Sequence, residues 1–209
     1  MFVRDIIKGP VITIGSETTL EDAYRTMQER RIRHLPILES GRLVGVVTDR
    51  DLRLATSALS HTPFLPGAKV AEVMSRSPRT ADPWDPVEES AKTMRELKIG
   101  CLPVLEDDRL IGIITGIDLL DALIRMTGVD KPTSRLEVRL SDRPGELARL
   151  TSFMSHRDLN IHSILTYPEG QSVVRAVLRV NSIDNHSLAQ ALRRDEFEVL
   201  WPPEKPCLR

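Results

Sequence analysis

The sequence predicts a mixed α/β (α+β) fold built from three units, two copies of a β-α-β-β-α unit and one β-α-β-β-α-β unit of ferredoxin-like order. Three observations carry this. Sliding the chain by 67 residues brings Val11–Leu52 onto Pro78–Leu119 without a gap, and 16 of the 42 pairs are identical. Each copy holds two short, almost wholly apolar runs separated by a polar turn, HLPIL and LVGVV, then CLPVL and LIGII. Beyond residue 134 the pattern changes to strict alternation in RLEVRL. A period this long exceeds the 20–50 residues of solenoid repeats and reads as a duplicated supersecondary unit.

The elements follow in order. VITI and PRTA are short extended stretches. The helix after VITI has Leu20, Ala23 and Met27 at helical spacing, and the helix after PRTA has Val87, Ala91 and Met94. Thr18 and Glu21 make a T-x-x-E capping box for the first. Asp85 at N-cap and Pro86 at N1 suit the second. The paired apolar runs are strands covered on both faces. DLRLATSAL and IDLLDALIRM are the closing helices. The repeat units are 1–58 and 69–126. A linker at 59–68 contains HTPFLPG, with two prolines and a glycine. A second linker, 127–134, follows.

In the third unit, 135–201, Leu136, Val138 and Leu140 form one face of a half-buried strand, with Arg135, Glu137 and Arg139 on the other. Asp142 is expected as N-cap, Pro144 near N1, and Leu147, Leu150 and Met154 as the buried stripe. NIHSILTY and SVVRAVLRV are strands joined at YPEGQ, HSLAQALRR is a helix and FEVLW a last strand. That is the ferredoxin-like order. The Pro-rich tail is 202–209.

Composition narrows the function classes. With a net charge of −1 and no long run of one sign, nothing favours a general nucleic-acid or membrane-surface binder. Two cysteines, Cys101 and Cys207, without a CxxC argue against a zinc site or disulfide framework and for a reducing compartment. MFVRDIIKGP lacks the apolar stretch of a signal peptide, and LVGVV and LIGII are far short of the ~20 residues that span a bilayer. The expectation is a cytoplasmic protein. His34, His61, His156, His162 and His186 have no metal-ligand spacing, and GxSxG, Walker A and GxGxxG are all missing, so no catalytic constellation is expected.

One feature recurs with chemistry in it. GVVTDRDL and GIITGIDL repeat glycine, threonine and aspartate at equal offsets: Gly45/Gly112, Thr48/Thr115 and Asp51/Asp118. A threonine ending a strand before a helix is a good N-cap, and an acid in the first turn suits the helix dipole. The same groups also suit a nucleotide. A hydroxyl and free N–H groups can hold phosphate, a carboxylate can accept hydrogen bonds from the vicinal hydroxyls of a ribose, and apolar strands can sandwich a base. Asp49 and Asp51 could bind Mg²⁺, expected only if a nucleotide carries it in.

With VRDII…PVITI, IRHLPIL…GRLVGVVTDRDL, VAEVM…PRTADP and IGCLPVL…DRLIGIITGIDL, residues 1–125 resemble a tandem pair of cystathionine-β-synthase-type (CBS) domains, a Bateman module. The resemblance implies two repeats packed around a pseudo-two-fold axis, with up to two adenine-nucleotide clefts. It gives Thr48 and Thr115 to phosphate, and Asp51 and Asp118 to ribose. The first copy has Arg33, His34 and Arg50 where the second has Gly100, Cys101 and Ile117. Phosphate charge is therefore expected mainly at Arg33, His34 and Arg50, and the second cleft is expected to be less basic.

Through SDRPGELARLTSFM and HRDLNIHSI, residues 135–201 resemble an ACT domain. That resemblance implies dimerisation and, in many members, an amino-acid site, here at Asp142, Arg143, Gly145, Asn160 and Ile161. Alternatively, the domain only oligomerises. Two CBS repeats before an ACT domain is the order of acetoin-utilisation AcuB-like proteins. The implied function is a non-catalytic homodimeric sensor of an adenine nucleotide (AMP, ADP, ATP or S-adenosylmethionine), without a resident cofactor. Its rivals are an amino-acid sensor with a CBS scaffold and a pure interaction protein.

Overall fold

The computed structural model describes residues 1–59 and 63–204. His61, Cys207 and the corresponding parts of the 59–68 linker and the 202–209 tail lie outside them. The chain forms two compact units, Met1–Ala122 and Leu123–Arg209.

In the first unit the duplication is visible element by element. α1 (Leu20–Arg30), β1 (His34–Glu39) and β2 (Arg42–Thr48) precede α2 (Asp49–Ala55). After β3 (Ser75–Arg76), the elements α3 (Val87–Leu97), β4 (Cys101–Glu106), β5 (Arg109–Thr115) and α4 (Gly116–Thr127) repeat the order 67 residues later. Both hairpins are antiparallel, with equivalent registers His34↔Thr48 and Cys101↔Thr115. Both slip at the same place, after Ile37 and after Val104. VITI and PRTA do not form full strands. Each contributes one parallel bridge, Ile14↔Ile37 and Ala81↔Val104.

The helix starts differ from expectation by one residue. Thr19, not Thr18, caps α1, its hydroxyl accepting from Asp22 N at 3.1 Å. Thr18 is still extended chain, its carbonyl accepting from Val70 N. Pro86, not Asp85, holds the N-cap position of α3, with ψ 138° outside the helical range. Asp85 instead closes the preceding turn by accepting from Asp82 N at 2.9 Å. The buried line of α1 is Leu20, Ala23 and Met27; that of α3 is Val87, Ser90 and Met94, so Ser90 takes the inward place expected for Ala91.

The cores are interleaved. Val3 and Ile6 lie in one core with Val87, Met94, Leu102, Val104 and Ile114 of the second repeat. Val70 and Met74 lie in the other with Leu20, Met27, Leu35, Ile37 and Val47 of the first. Backbone hydrogen bonds hold each exchanged segment: Val3 N to Asp85 O, Arg4 N to Pro83 O, Leu20 N to Ala68 O and Val70 N to Thr18 O, all at 2.9 Å. The boundaries 1–58 and 69–126 thus follow the sequence repeat, while packing pairs the first few residues of each unit with the other.

In the second unit β6 (Ser134–Ser141), α5 (Glu146–Ser155), β7 (Ile161–Pro168), β8 (Val173–Val180), α6 (Asn185–Arg194) and β9 (Glu198–Trp201) form a sheet of order β7-β8-β6-β9. All its pairings are antiparallel, the ferredoxin-like topology. Leu136, Val138 and Leu140 face Leu150, Phe153, Met154, Leu188 and Leu192 in its core. Two expectations are corrected. The residue preceding α5 is Gly145, at φ 96°, not Asp142. Leu147 is 42% exposed, and Phe153 is buried instead, edge-on to Phe197 at 5.7 Å.

The open face of this sheet is not simply solvated. Glu137 is only 7% exposed. Arg135 (2.6 Å), Arg175 (3.2 Å) and Tyr167 Oη–H (2.8 Å) donate to its carboxylate. Arg175 continues to Glu169 at 2.5 Å, and Glu169 to Arg139 at 2.7 Å. The guanidinium groups of Arg175 and Arg139 hold the Glu169 carboxyl down to about 2.

Two outcomes are expected. Ser90 Oγ is buried without a hydrogen-bond partner. Ser90→Ala, which restores the residue found at the equivalent Ala23, should raise the urea midpoint, stabilising by about 1 kcal/mol, the lower range for an unmade buried hydrogen bond. A carboxyl depressed on folding contributes stability that is present above its ordinary value near 4.5 and lost as pH falls towards about 2. Glu169→Gln should flatten that acid-side loss in the second unit, read by Trp201 fluorescence during urea unfolding in a Trp84→Phe background.

Candidate functional site

Thr48 ends β2 and caps α2. Its Oγ1 accepts from Asp51 N at 3.2 Å, while Asp51 Oδ2 accepts from Thr48 N at 2.9 Å and from Thr48 Oγ1–H at 2.7 Å. Thr115 and Asp118 repeat this box. Asp118 Oδ2 accepts from Thr115 N at 2.8 Å and from its hydroxyl at 2.6 Å, and Asp118 N donates to Thr115 Oγ1 at 3.5 Å. The capping reading is therefore realised twice. It also spends the hydroxyl hydrogen and one carboxylate oxygen internally, so chemistry with a ligand falls to Oδ1 of each aspartate.

The motif glycines let the exchanged segments come close. A Cβ on Gly45 would stand 2.6 Å from Met74 Sδ, and one on Gly112 3.0 Å from Ile7 Cβ. Met74 and Ile7 are themselves 67 residues apart, so the same contact is made twice. Each motif strand is thereby seated against the segment exchanged onto it.

Arg33, His34, Thr48, Arg50 and Asp51 gather at one end of the β1–β2 hairpin. His34 is the register partner of Thr48, and Asp49 N donates to Arg33 O at 3.0 Å. Arg33 and Arg50 are exposed. His34 is half-buried and turns towards the second repeat, where a Cβ on Gly100 would lie 2.7 Å from its Nε2. Glycine at 100 makes that approach possible. Burial, then the nearby Arg33 charge, lowers the His34 pKa, with Asp51 and Asp118 opposing. That shift favours the neutral ring, which offers a hydrogen bond rather than a cation. Burial, with Asp51 adding to it, pushes the Cys101 thiol up to about 12, so it is not a nucleophile.

The two aspartates differ in a way the motif does not show. Lys8 Nζ lies 3.0 Å from Asp118 Oδ1 and 3.8 Å from Asp121 Oδ2. Burial pushes Asp118 up, but the hydrogen bonds from Thr115 and Lys8 outweigh it and leave its pKa below the ordinary value. Among the described residues no lysine or arginine pairs with Asp51. No motif flags Lys8, although the repeat offset, which sets it against Ser75, could have.

The five candidate residues of the second unit do not form one site within a chain. β6 pairs with β8 from Ser134↔Val180 to Ser141↔Val173, and β7 with β8 from Ile161↔Val180 to Pro168↔Val174. Asp142, Arg143 and Gly145 follow the Ser141 end, while Asn160 and Ile161 stand at the other. Seven strand steps separate those ends, about 23 Å. The α5 crossover makes β6 and β7 parallel, so the loop after one and the start of the other cannot meet. Arg143 pairs with Glu146 at 2.8 Å, and Asn160 N donates to Asn181 Oδ1 at 2.7 Å.

A groove of about 470 Å³ between α1 and α2 is lined by Leu20, Glu21, Tyr24, Leu52, Arg53, Thr56 and Pro66, and none of the candidate nucleotide-binding residues lines it. Among the described residues no group of three or more His, Cys, Asp or Glu side chains could hold a metal ion, and no helix is long and apolar enough to cross a membrane.

Known proteins extend this picture. The CBS domain family matches residues 3–57 and 70–125, and the ACT domain family residues 134–194. A CBS domain-containing protein of Dictyostelium discoideum is 38% identical over 147 residues, 64% of this chain and 99% of that protein. A homoserine O-acetyltransferase of Methanohalobium evestigatum is 34% identical over 120 residues, 56% of this chain but only 23% of that enzyme. Among solved structures, a CBS domain pair in complex with 5′-methylthioadenosine and S-adenosyl-L-methionine matches with a TM-score of 0.54 at 30% identity, over 63% of this chain and 98% of that one. Vibrio cholerae AcuB, named for a proposed part in acetoin utilization, matches with a TM-score of 0.54 at 32% identity, over 64% and 98%. With more than half of its length matched by the two repeats, and the Thr–Asp box built in each, the chain belongs to the CBS domain family and carries a tandem CBS pair followed by an ACT domain.

Proposed function

We propose that the chain is a non-catalytic regulatory sensor whose first CBS repeat binds an adenosine-containing ligand, an adenine nucleotide or S-adenosylmethionine. The observation that carries this reading is Asp51. Its Oδ2 is fixed by the Thr48 box, and its Oδ1 has neither a lysine nor an arginine partner among the described residues. A carboxylate held rigid on one oxygen and free on the other suits the vicinal hydroxyls of a ribose. Arg33 and Arg50, exposed at the same hairpin end, supply positive charge for phosphate, and His34 supplies a hydrogen bond. Mg²⁺ enters only with a nucleotide. The similar CBS pair solved with two adenosine derivatives supports the ligand class.

The ACT domain serves dimerisation or read-out. Pairing of chains is supported by the apolar residues that α4 leaves exposed, Ile117 at 53% and Leu120 at 55%. The amino-acid reading gains no support, because its residues lie at opposite ends of the sheet. Ligand binding regulates only if it favours one arrangement of the protein over another.

A thermal-shift screen of AMP, ADP, ATP, S-adenosylmethionine and free amino acids tests this, since a ligand specific to the folded state raises apparent stability. Adenosine ligands should raise the midpoint and amino acids should not. Asp51→Ala should weaken binding at least about tenfold, the loss of a charge-assisted hydrogen bond. Undiminished affinity in that variant, or no shift with any adenosine ligand, would overturn the reading.

A further inference from the structure

We propose that Lys8 makes the two clefts unequal by occupying, from within the chain, the carboxylate oxygen that a ribose would need in the second. This rests on the adenosine reading above and extends it to the other repeat. In both repeats Oδ2 of the motif aspartate is spent on the threonine box. In the second, Oδ1 is taken as well, by Lys8 Nζ at 3.0 Å. The Asp118 side chain is 11% exposed and that of Lys8 74%, so the carboxylate is sunk and the ammonium covers it from the solvent side. A ribose arriving at Asp118 must displace that ammonium; one arriving at Asp51 displaces no lysine or arginine.

The placement of Lys8 follows from the fold. Ile7 is pressed against Gly112, and the next residue emerges beside the carboxylate three residues beyond Thr115. The mirror position, 67 residues on, follows Met74 on Gly45 and is Ser75. Serine is too short and uncharged to do the same to Asp51. The asymmetry therefore resides in one pair of equivalent positions, Lys8 and Ser75. They lie on the exchanged segments, not on the motifs.

The pair can be tested in both directions with AMP as the probe, titrated calorimetrically into the full chain. Asp51→Ala leaves the second cleft to be read alone. Adding Lys8→Ser to it should tighten AMP about fivefold, the effect of removing an exposed competing ion pair, whereas Lys8→Arg should leave binding weak. Asp118→Ala isolates the first cleft. Adding Ser75→Lys to it should weaken AMP by a similar factor. If the wild type binds AMP and neither substitution changes affinity in its background, the role of Lys8 is refuted and the adenosine reading stands. If neither the wild type nor Lys8→Ser binds AMP, the role of Lys8 falls, and the adenosine reading falls with it only when ADP, ATP and S-adenosylmethionine give no heat either.

Discussion

The first unit depends on an exchange. Val3 and Ile6 are buried in the second repeat, and Val70 and Met74 in the first. Full burial of one such side chain contributes roughly 1.5–3 kcal/mol, an upper figure because the unfolded chain already hides some surface. Neither repeat closes its core from its own contiguous sequence. The exchanged segments also press on the motif glycines, Ile7 on Gly112 and Met74 on Gly45. They thereby set what stands next to each motif aspartate. Core completion and site chemistry are two results of one packing event.

Much of this was legible in the sequence. The offset of 67 anticipates equivalent helices, hairpins and even the shared register slip, because the same side chains meet the same neighbours. The Thr–Asp boxes were legible too, since a hydroxyl and an acid three residues apart satisfy helix-end N–H groups locally. The misses have physical causes. Two adjacent threonines offer two caps, and only the extended pairing of Thr19 with Lys69 decides between them. Ser90 and Ala91 differ by one step on a helix, and polarity misleads where position decides: Ser90, the equivalent of Ala23, shares the inward line of Val87 and Met94. Alternation put Glu137 in solvent, whereas Arg135 of its own strand, Arg175 of β8 and Tyr167 of β7 close over it. The segment exchange left no trace, because alignment of repeats follows chain order and not packing.

Charge is distributed unevenly about a nearly symmetric frame. Arg33 and Arg50 stand by the first motif, facing Gly100 and Ile117 as equivalents; Lys8 stands by the second, with Ser75 as its equivalent. His34 sits between, against Gly100 and within the field of both aspartates. The backbone duplicates the geometry of a site, and a few side-chain differences decide how each copy is used. In the ACT domain the constraint is topological instead. The β-α-β crossover returns the chain to the end where it started, so residues adjacent in a motif description stand a sheet-length apart.

The exchange also orders events in time. The hydrogen bond from Val3 N to Asp85 O joins residues about eighty positions apart. Closing a loop of that length has an entropic cost that only long-range packing can offset. As a ribosome releases the chain from the N-terminus, the first repeat can collect Val70 and Met74 soon after its own helices emerge. Val3 and Ile6 must wait for the second repeat, as far as Ile114 and Ala122, before their core can close. Of the two cores of the first unit, the one that takes in Val3 and Ile6 is the second to close.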